Sequence, residues 1–447
     1  MARHMLANVR FGVGALALVV SAGALGCSNK NQDDLPALSK TEEVEIPSVP
    51  VPPANGPKLG AVAEVTPVMD RPSTTGKQLG YLHAGALVAR AEKPYSTDKC
   101  PGGWYPVRPA GFVCAGESAT LDLKHPTLVA MAQGPKLDQP SPFVYGRMKS
   151  EGPLLERDTG KENSVKEVGK LRRRSIIAVV GSWNAMDPEG KMQRLALTPS
   201  GQFVKASDLE PVVASEFKGV ELDDKTELPV GFVVKRGIRA WQVEKGEADK
   251  LDPLEYHQIL SLTGKFRTVG PLKYWGMADG RYARHRDVLV VRKRNAWPDF
   301  AQGDQKWMDV SIVTNTLVLY EGRKPVFVTL ISTGRDRLGD PKTSASTEQG
   351  SFELTGKHIT ASKFNPKGIE ELFDVYDAPW AIQLSSGQML IGAPWHDRFG
   401  IENGQGQIQL SPSDALRVWH WADPQLPDGW HGISQPGEKK VYVVVRK

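Results

Sequence analysis

From Lys306 the chain alternates apolar and polar positions over two runs, KWMDVSIVTNTLVLY and RKPVFVTLIS, with Glu321-Gly322 between them. A period of two marks strands, and a Gly-containing break between two such runs predicts a hairpin. Upstream, three segments repeat one order of features. The first carries Val68-Met69, then Leu79 to Leu82, then Gly103 to Val107, then Gly111 to Val113. The second carries Leu154-Leu155, Val168 to Leu171 leading into Ile176 to Val180, Leu195 to Leu197, and Gly201 to Val204. The third carries Ile238 to Trp241, Tyr256 to Leu262, Tyr274-Trp275, and Gly280 to Ala283. Each unit reads as four or five short strands broken by Gly and polar turns, a small barrel. At about sixty residues such units build only small cores, so they are expected to lean on one another. The boundaries fall at 58–121, 143–212, 230–292 and 305–446. One helix is predicted. Ser411 is its N-cap, and Asp414 sits at the capping-box position of the SPSDA run. The fold class expected is mostly β: three small barrels followed by a larger β-domain with a short helix.

The N-terminus sets the compartment. Arg3, His4 and Arg10 precede an apolar run from Phe11 to Val20, followed by SAGALGC. A charged start, a short apolar core and small residues at a cleavage site make 1–26 a secretory signal. The run is too short for a spanning helix. Residues 27–57 are rich in Pro and polar residues and cannot bury a core, so they read as a tether.

The 447 residues hold three cysteines, Cys27, Cys100 and Cys114. With Cys27 at the signal cleavage site, the remaining pair in an exported chain is expected to form a disulfide. The alternative is two free buried thiols. A zinc site is not expected, because no second Cys or His pair stands at ligand spacing. The net charge of +5 is mild and dispersed, which gives no sign of nucleic-acid binding. Arg172-Arg173-Arg174 is expected to be a solvated turn, with an anionic cell-wall polymer as the alternative partner. There is no Gly-rich phosphate loop, and no cofactor is expected.

Resemblances sharpen this picture. Ala24-Leu25-Gly26-Cys27 resembles a bacterial lipobox, which implies a lipid on Cys27 and an envelope lipoprotein. Ser28 after the Cys implies the outer membrane, facing the periplasm. The alternative is an ordinary cleaved signal that contains a Cys. The first barrel unit resembles a bacterial Src-homology-3-like domain, with two divergent copies behind it. The segment Leu390 to Leu410, LIGAPWHDRFGIENGQGQIQL, resembles the signature region of the L,D-transpeptidases, the cysteine enzymes that cross-link peptidoglycan stems. The opening hairpin, the Thr347-Glu348-Gln349-Gly350 stretch, Asp377-Ala378-Pro379-Trp380, and Trp419, Trp421 and LPDGWHG at 426–432 extend the resemblance over 305–446. The family's Pro is missing after Thr347.

The departures fall at the active centre. The family pattern places a base His where Ile391 stands. It places a Ser-His-Gly-Cys block where Gly404, Gln405, Gly406 and Gln407 stand. Acyl transfer through a covalent intermediate needs an activated nucleophile, and neither Gln nor Ile supplies one. The resemblance therefore implies a binding groove formed by Trp395, His396, Asp397, Arg398, Gln405 and Gln407, without the family's catalytic dyad. The expected function is peptidoglycan or stem-peptide binding, or binding of a cell-wall enzyme, by a catalytically inactive lipoprotein. Two alternatives remain open. One is an active enzyme with a relocated nucleophile, with His396 as base and Ser411 or Ser332 attacking. The other is a structural envelope scaffold. Trp395, Trp419 and Trp421 are expected to be core rather than a sugar platform.

Overall fold

The computed structural model describes residues 48–187, 190–362, 373–435 and 437–447. The expected signal segment, Cys27 and residues up to 47 lie outside the described residues. The described residues form one unit, built almost wholly of strands.

The first unit spans the strands from Lys58–Ala61 to Ala119–Thr120, which lie in two sheets. Cys100 and Cys114 are joined by a disulfide with Cα atoms 5.9 Å apart. The described end of the Pro-rich stretch does not run free. Val49 packs against Met69, Trp104 and Phe112, Pro52 is buried, and Arg108 Nη1 donates to the Pro52 carbonyl at 2.8 Å. Residues 49 and 52 share a face because an extended Pro-rich chain repeats every three residues.

The second unit forms two sheets, from Val144–Met148 to Leu209–Pro211. The third forms one, from Val230–Val233 to Val288–Val291. The Arg172–Arg174 run is a turn, yet Arg172 is not simply solvated. Its Nε and Nη2 donate to Asp374 at 2.9 and 2.6 Å.

In the C-terminal domain, eight described strands close on themselves. Thr316–Glu321 pairs with Lys324–Ser332 across the expected Glu321-Gly322 turn. Gly322 is required there. Its φ is 58°, and a Cβ would lie 2.1 Å from the Gly303 carbonyl. The first apolar run is not one strand but two, Lys306–Ser311 and Thr316–Glu321. The unforeseen reversal sits at Thr314-Asn315. Asn315 takes φ 47°, and Ser311 Oγ accepts from the Thr314 N–H. Asn tolerates the left-handed region and hydroxyls cap such turns, which a count of alternation does not register.

The Ser411 hydroxyl caps the helix Pro412–Trp421 by accepting from the Asp414 N–H at 3.2 Å. The reciprocal half of the capping box does not form. The Asp414 carboxylate accepts from the Gly219 N–H at 2.9 Å and from the Thr329 hydroxyl. Burial raises its pKa to about 6.

The barrel strands are buried on both faces. Met308, Leu317, Leu319, Ile382 and Trp419 form one core. Val318, Tyr320, Leu330 and Ile391 face a second. That second core also takes Tyr145 and Ile176 from the second unit, Phe217 from the connection, and Val230 and Phe232 from the third. The first unit joins by backbone. Gly80 and Tyr81 pair with Ile433 and Gly432.

Candidate functional site

Two short parallel strands carry the positions of interest. Met389–Gly392 pairs with Ile408–Leu410, which sets Ile391 opposite Gln409. Gln407 immediately precedes the second strand. The loop before it is held by a bridge between Gly334 and Gly404. The Gly404 N–H donates to the Thr333 carbonyl at 2.8 Å, and the Arg335 N–H donates to the Gly404 carbonyl at 2.9 Å. Thr347 fastens the loop further. Its Oγ1 accepts from the Gly334 N–H at 2.8 Å and donates to the Gly406 carbonyl at 3.1 Å.

Ile391 is fully buried in the shared core with Ala393, Trp395 and Phe399. Burying such a side chain contributes about 1.5–3 kcal/mol. The position that holds a proton-transfer group in the family pattern is here a packing position. Gln407 is also buried, and its Oε1 accepts from the Gln405 backbone N–H at 2.9 Å. The Gln405 amide donates to the Phe373 carbonyl at 3.3 Å. Both amides thus bond to backbone, and amides accept and donate without attacking a carbonyl. Gly404 is sterically committed. A Cβ there would lie 2.9 Å from the Gln407 carbonyl oxygen and 3.1 Å from that of Thr333. Gly406, with φ 108°, needs glycine for its backbone.

His396 is half-buried and locked. Its Nδ1 accepts from the Arg398 N–H at 3.1 Å, so its Nε2 carries the proton and donates to Gln409 Oε1 at 2.8 Å. Burial holds its pKa down at about 4. Ser332 and Ser411 are fully buried. The Ser332 hydroxyl donates to the Arg398 carbonyl, and that of Ser411 caps the helix.

Asp397 turns to the third unit. Its carboxylate accepts from the Ser215 hydroxyl and lies 3.6 Å from both Arg236 and His257. The Tyr256 hydroxyl donates to its carbonyl at 3.1 Å. Arg398 is exposed. The six groove positions therefore divide. Gln405 and Gln407 stay at the loop, and Trp395 is core. His396 braces the Gln409 side chain, while Asp397 belongs to a cleft of about 600 Å³ against Arg236, Tyr256 and His257. Among the described residues no His, Cys, Asp and Glu group is arranged to hold a metal ion.

Sequence reasoning missed two features. Arg335 stands beside the loop, and one of its guanidinium nitrogens, Nη1, is buried with no hydrogen-bond partner. Polar residues also meet where the first unit joins the barrel. His83 stacks near His431 with ring centroids 4.5 Å apart. Tyr81 OH lies 3.2 Å from His358 Nδ1, and Thr360 Oγ1 lies 2.9 Å from His431 Nε2. Only His431, within the GWHG run, carried any sequence signal.

A family profile for YkuD, the L,D-transpeptidase catalytic domain, matches residues 305–443. Several solved L,D-transpeptidases are similar in structure. One from Mycobacterium smegmatis has 17% identity over 41% of this chain and 77% of its own, with a TM-score of 0.26. Mycobacterium tuberculosis L,D-transpeptidase 1 has 20% identity over 42% and 83%, with a TM-score of 0.23. One from Xylanimonas cellulosilytica has 16% identity and a TM-score of 0.24. The match covers 34% of this chain and 64% of that one, less than two thirds of its length. A comparison with curated proteins finds no match. By the profile match, residues 305–443 are similar to the L,D-transpeptidase catalytic domain.

Proposed function

We propose that this chain is an envelope lipoprotein whose L,D-transpeptidase-like domain binds peptidoglycan stem peptides, or an enzyme acting on them, without forming an acyl intermediate. The observation that carries the reading is the pair of substitutions at the centre and their packing. Ile391 is core shared with two other units, and the Gln407 amide is bonded into its own loop. The lipid on Cys27 and an outer-membrane, periplasm-facing location belong to the same proposal and rest on the sequence alone.

A relocated nucleophile finds little support in the geometry. The His396 nitrogens, Ser332 and Ser411 are each engaged in a structural hydrogen bond. A purely structural scaffold draws support from the common core of the second and third units with the barrel.

Sacculus pull-down separates these readings. Binding by the wild type and its loss in Gln405→Trp, at a half-exposed position of the same loop, with thermal midpoints nearly equal, supports groove binding. Equal recovery of both would move the binding surface to the barrel units. No recovery of either would favour the scaffold.

A further inference from the structure

The loop that replaces the catalytic block carries no charge of its own, yet a cation stands next to it. Arg335 follows directly on the Gly334–Gly404 bridge, and its backbone N–H is tied to the Gly404 carbonyl. Its side chain is half-buried. Its Nη1 is buried without a hydrogen-bond partner among the described residues. The neighbouring charges are already engaged. Asp336 Oδ2 accepts from the Ala345 N–H at 2.7 Å, and Arg337 lies 3.4 Å from Glu402.

A guanidinium keeps its charge at any physiological pH, so it cannot relieve burial by losing a proton. A buried donor left unpaired destabilises the fold that holds it. Arginine's planar fork matches the two oxygens of a carboxylate. Resting on the stem-peptide reading above, we propose that Arg335 is the carboxylate receptor of the groove. It pairs with a free carboxylate of a peptide lying along Gly404–Gln407. The neutral amides of Gln405 and Gln407 then leave that charge unopposed on the protein side. Arg335 is a binding residue in this scheme and takes part in no bond-making step.

The test uses the full chain and two probes, a fluorescent stem tetrapeptide with free carboxylates and the same peptide with every carboxylate amidated. The wild type should bind the acid form about tenfold or more tightly than the amidated form, as one charge-assisted pair lost implies. Arg335→Gln should bind both forms at the weaker level. Its thermal midpoint without peptide should equal or exceed that of the wild type, because an unpaired buried charge is removed. Equal wild-type affinity for the two peptides, or an Arg335→Gln variant with undiminished preference for the acid form, overturns the receptor and leaves groove binding standing. A large drop in the Arg335→Gln midpoint shows that the guanidinium is structurally paired and also overturns it. A wild type that binds neither peptide overturns the groove reading as well.

Discussion

Gln407 folds its side chain back so that Oε1 accepts the backbone N–H of Gln405, 2.9 Å away. The residue that the sequence resemblance sets at the nucleophile position thereby closes its own loop. With Ile391 buried opposite Gln409, the centre has become a structural element. Restoring the family's residues should then damage the fold before it restores chemistry.

Ile391→His should destabilise the protein by about 2–4 kcal/mol, since an imidazole would enter an apolar core without a partner. Urea unfolding measures this. Gln407→Cys combined with Ile391→His should still form no covalent adduct with a carbapenem, because a buried thiol is held in its unreactive protonated form. A stoichiometric adduct by intact mass would show that the scaffold still supports the dyad.

Gly404→Ser should cost about 1–3 kcal/mol, because its Cβ meets two carbonyl oxygens at 2.9 and 3.1 Å. Thermal unfolding checks this, and an unchanged midpoint would mean that the loop yields freely.

The joint between the first unit and the barrel should weaken in acid. Burial lowers the pKa of His83 and of His358 to about 4 and that of His431 well below its ordinary value. His396 is also held at about 4. Unfolding frees these rings to bind protons, so their contribution is complete above the unfolded value near 6.5. It falls as pH drops toward about 4. Asp377 and Asp414 act oppositely. Both are raised by burial to about 6, so the folded state holds more protons there and gains stability as pH falls through 6. Four histidines outweigh two carboxyls. Denaturant stability should therefore drop by a few kcal/mol between pH 6.5 and 5, at about 1.4 kcal/mol per unmatched proton per pH unit. His431→Asn should reduce that slope. An identical slope in the variant would remove His431 from the account.

Reducing the Cys100–Cys114 bond should lower the stability of the first unit by about 3 kcal/mol, the chain-entropy value for a loop of this size. Urea unfolding with and without reductant measures the difference.

Much of the fold was legible locally. The Glu321-Gly322 hairpin follows from alternation and a glycine, and the helix after Ser411 follows from its capping hydroxyl. The turn at Thr314-Asn315 was missed because the apolar pattern runs straight through it. What sequence cannot express is which faces meet. Tyr145, Phe232 and Ile391 lie far apart in the chain and share one core. That sharing follows from tertiary packing of both barrel faces, whereas alternation predicts only one buried face. The candidate site at 391 and 404–407 rests on the sequence resemblance. Arg335 was not legible, because its distinction lies in an unpaired nitrogen that only packing reveals.

The most direct test is equilibrium binding of a stem tetrapeptide to the full chain, followed by mass measurement of both protein and recovered peptide. The account predicts saturable, reversible binding, about −4 to −8 kcal/mol for micromolar to millimolar affinity, with both masses unchanged. A protein adduct, or a peptide returned without its terminal residue, would contradict it.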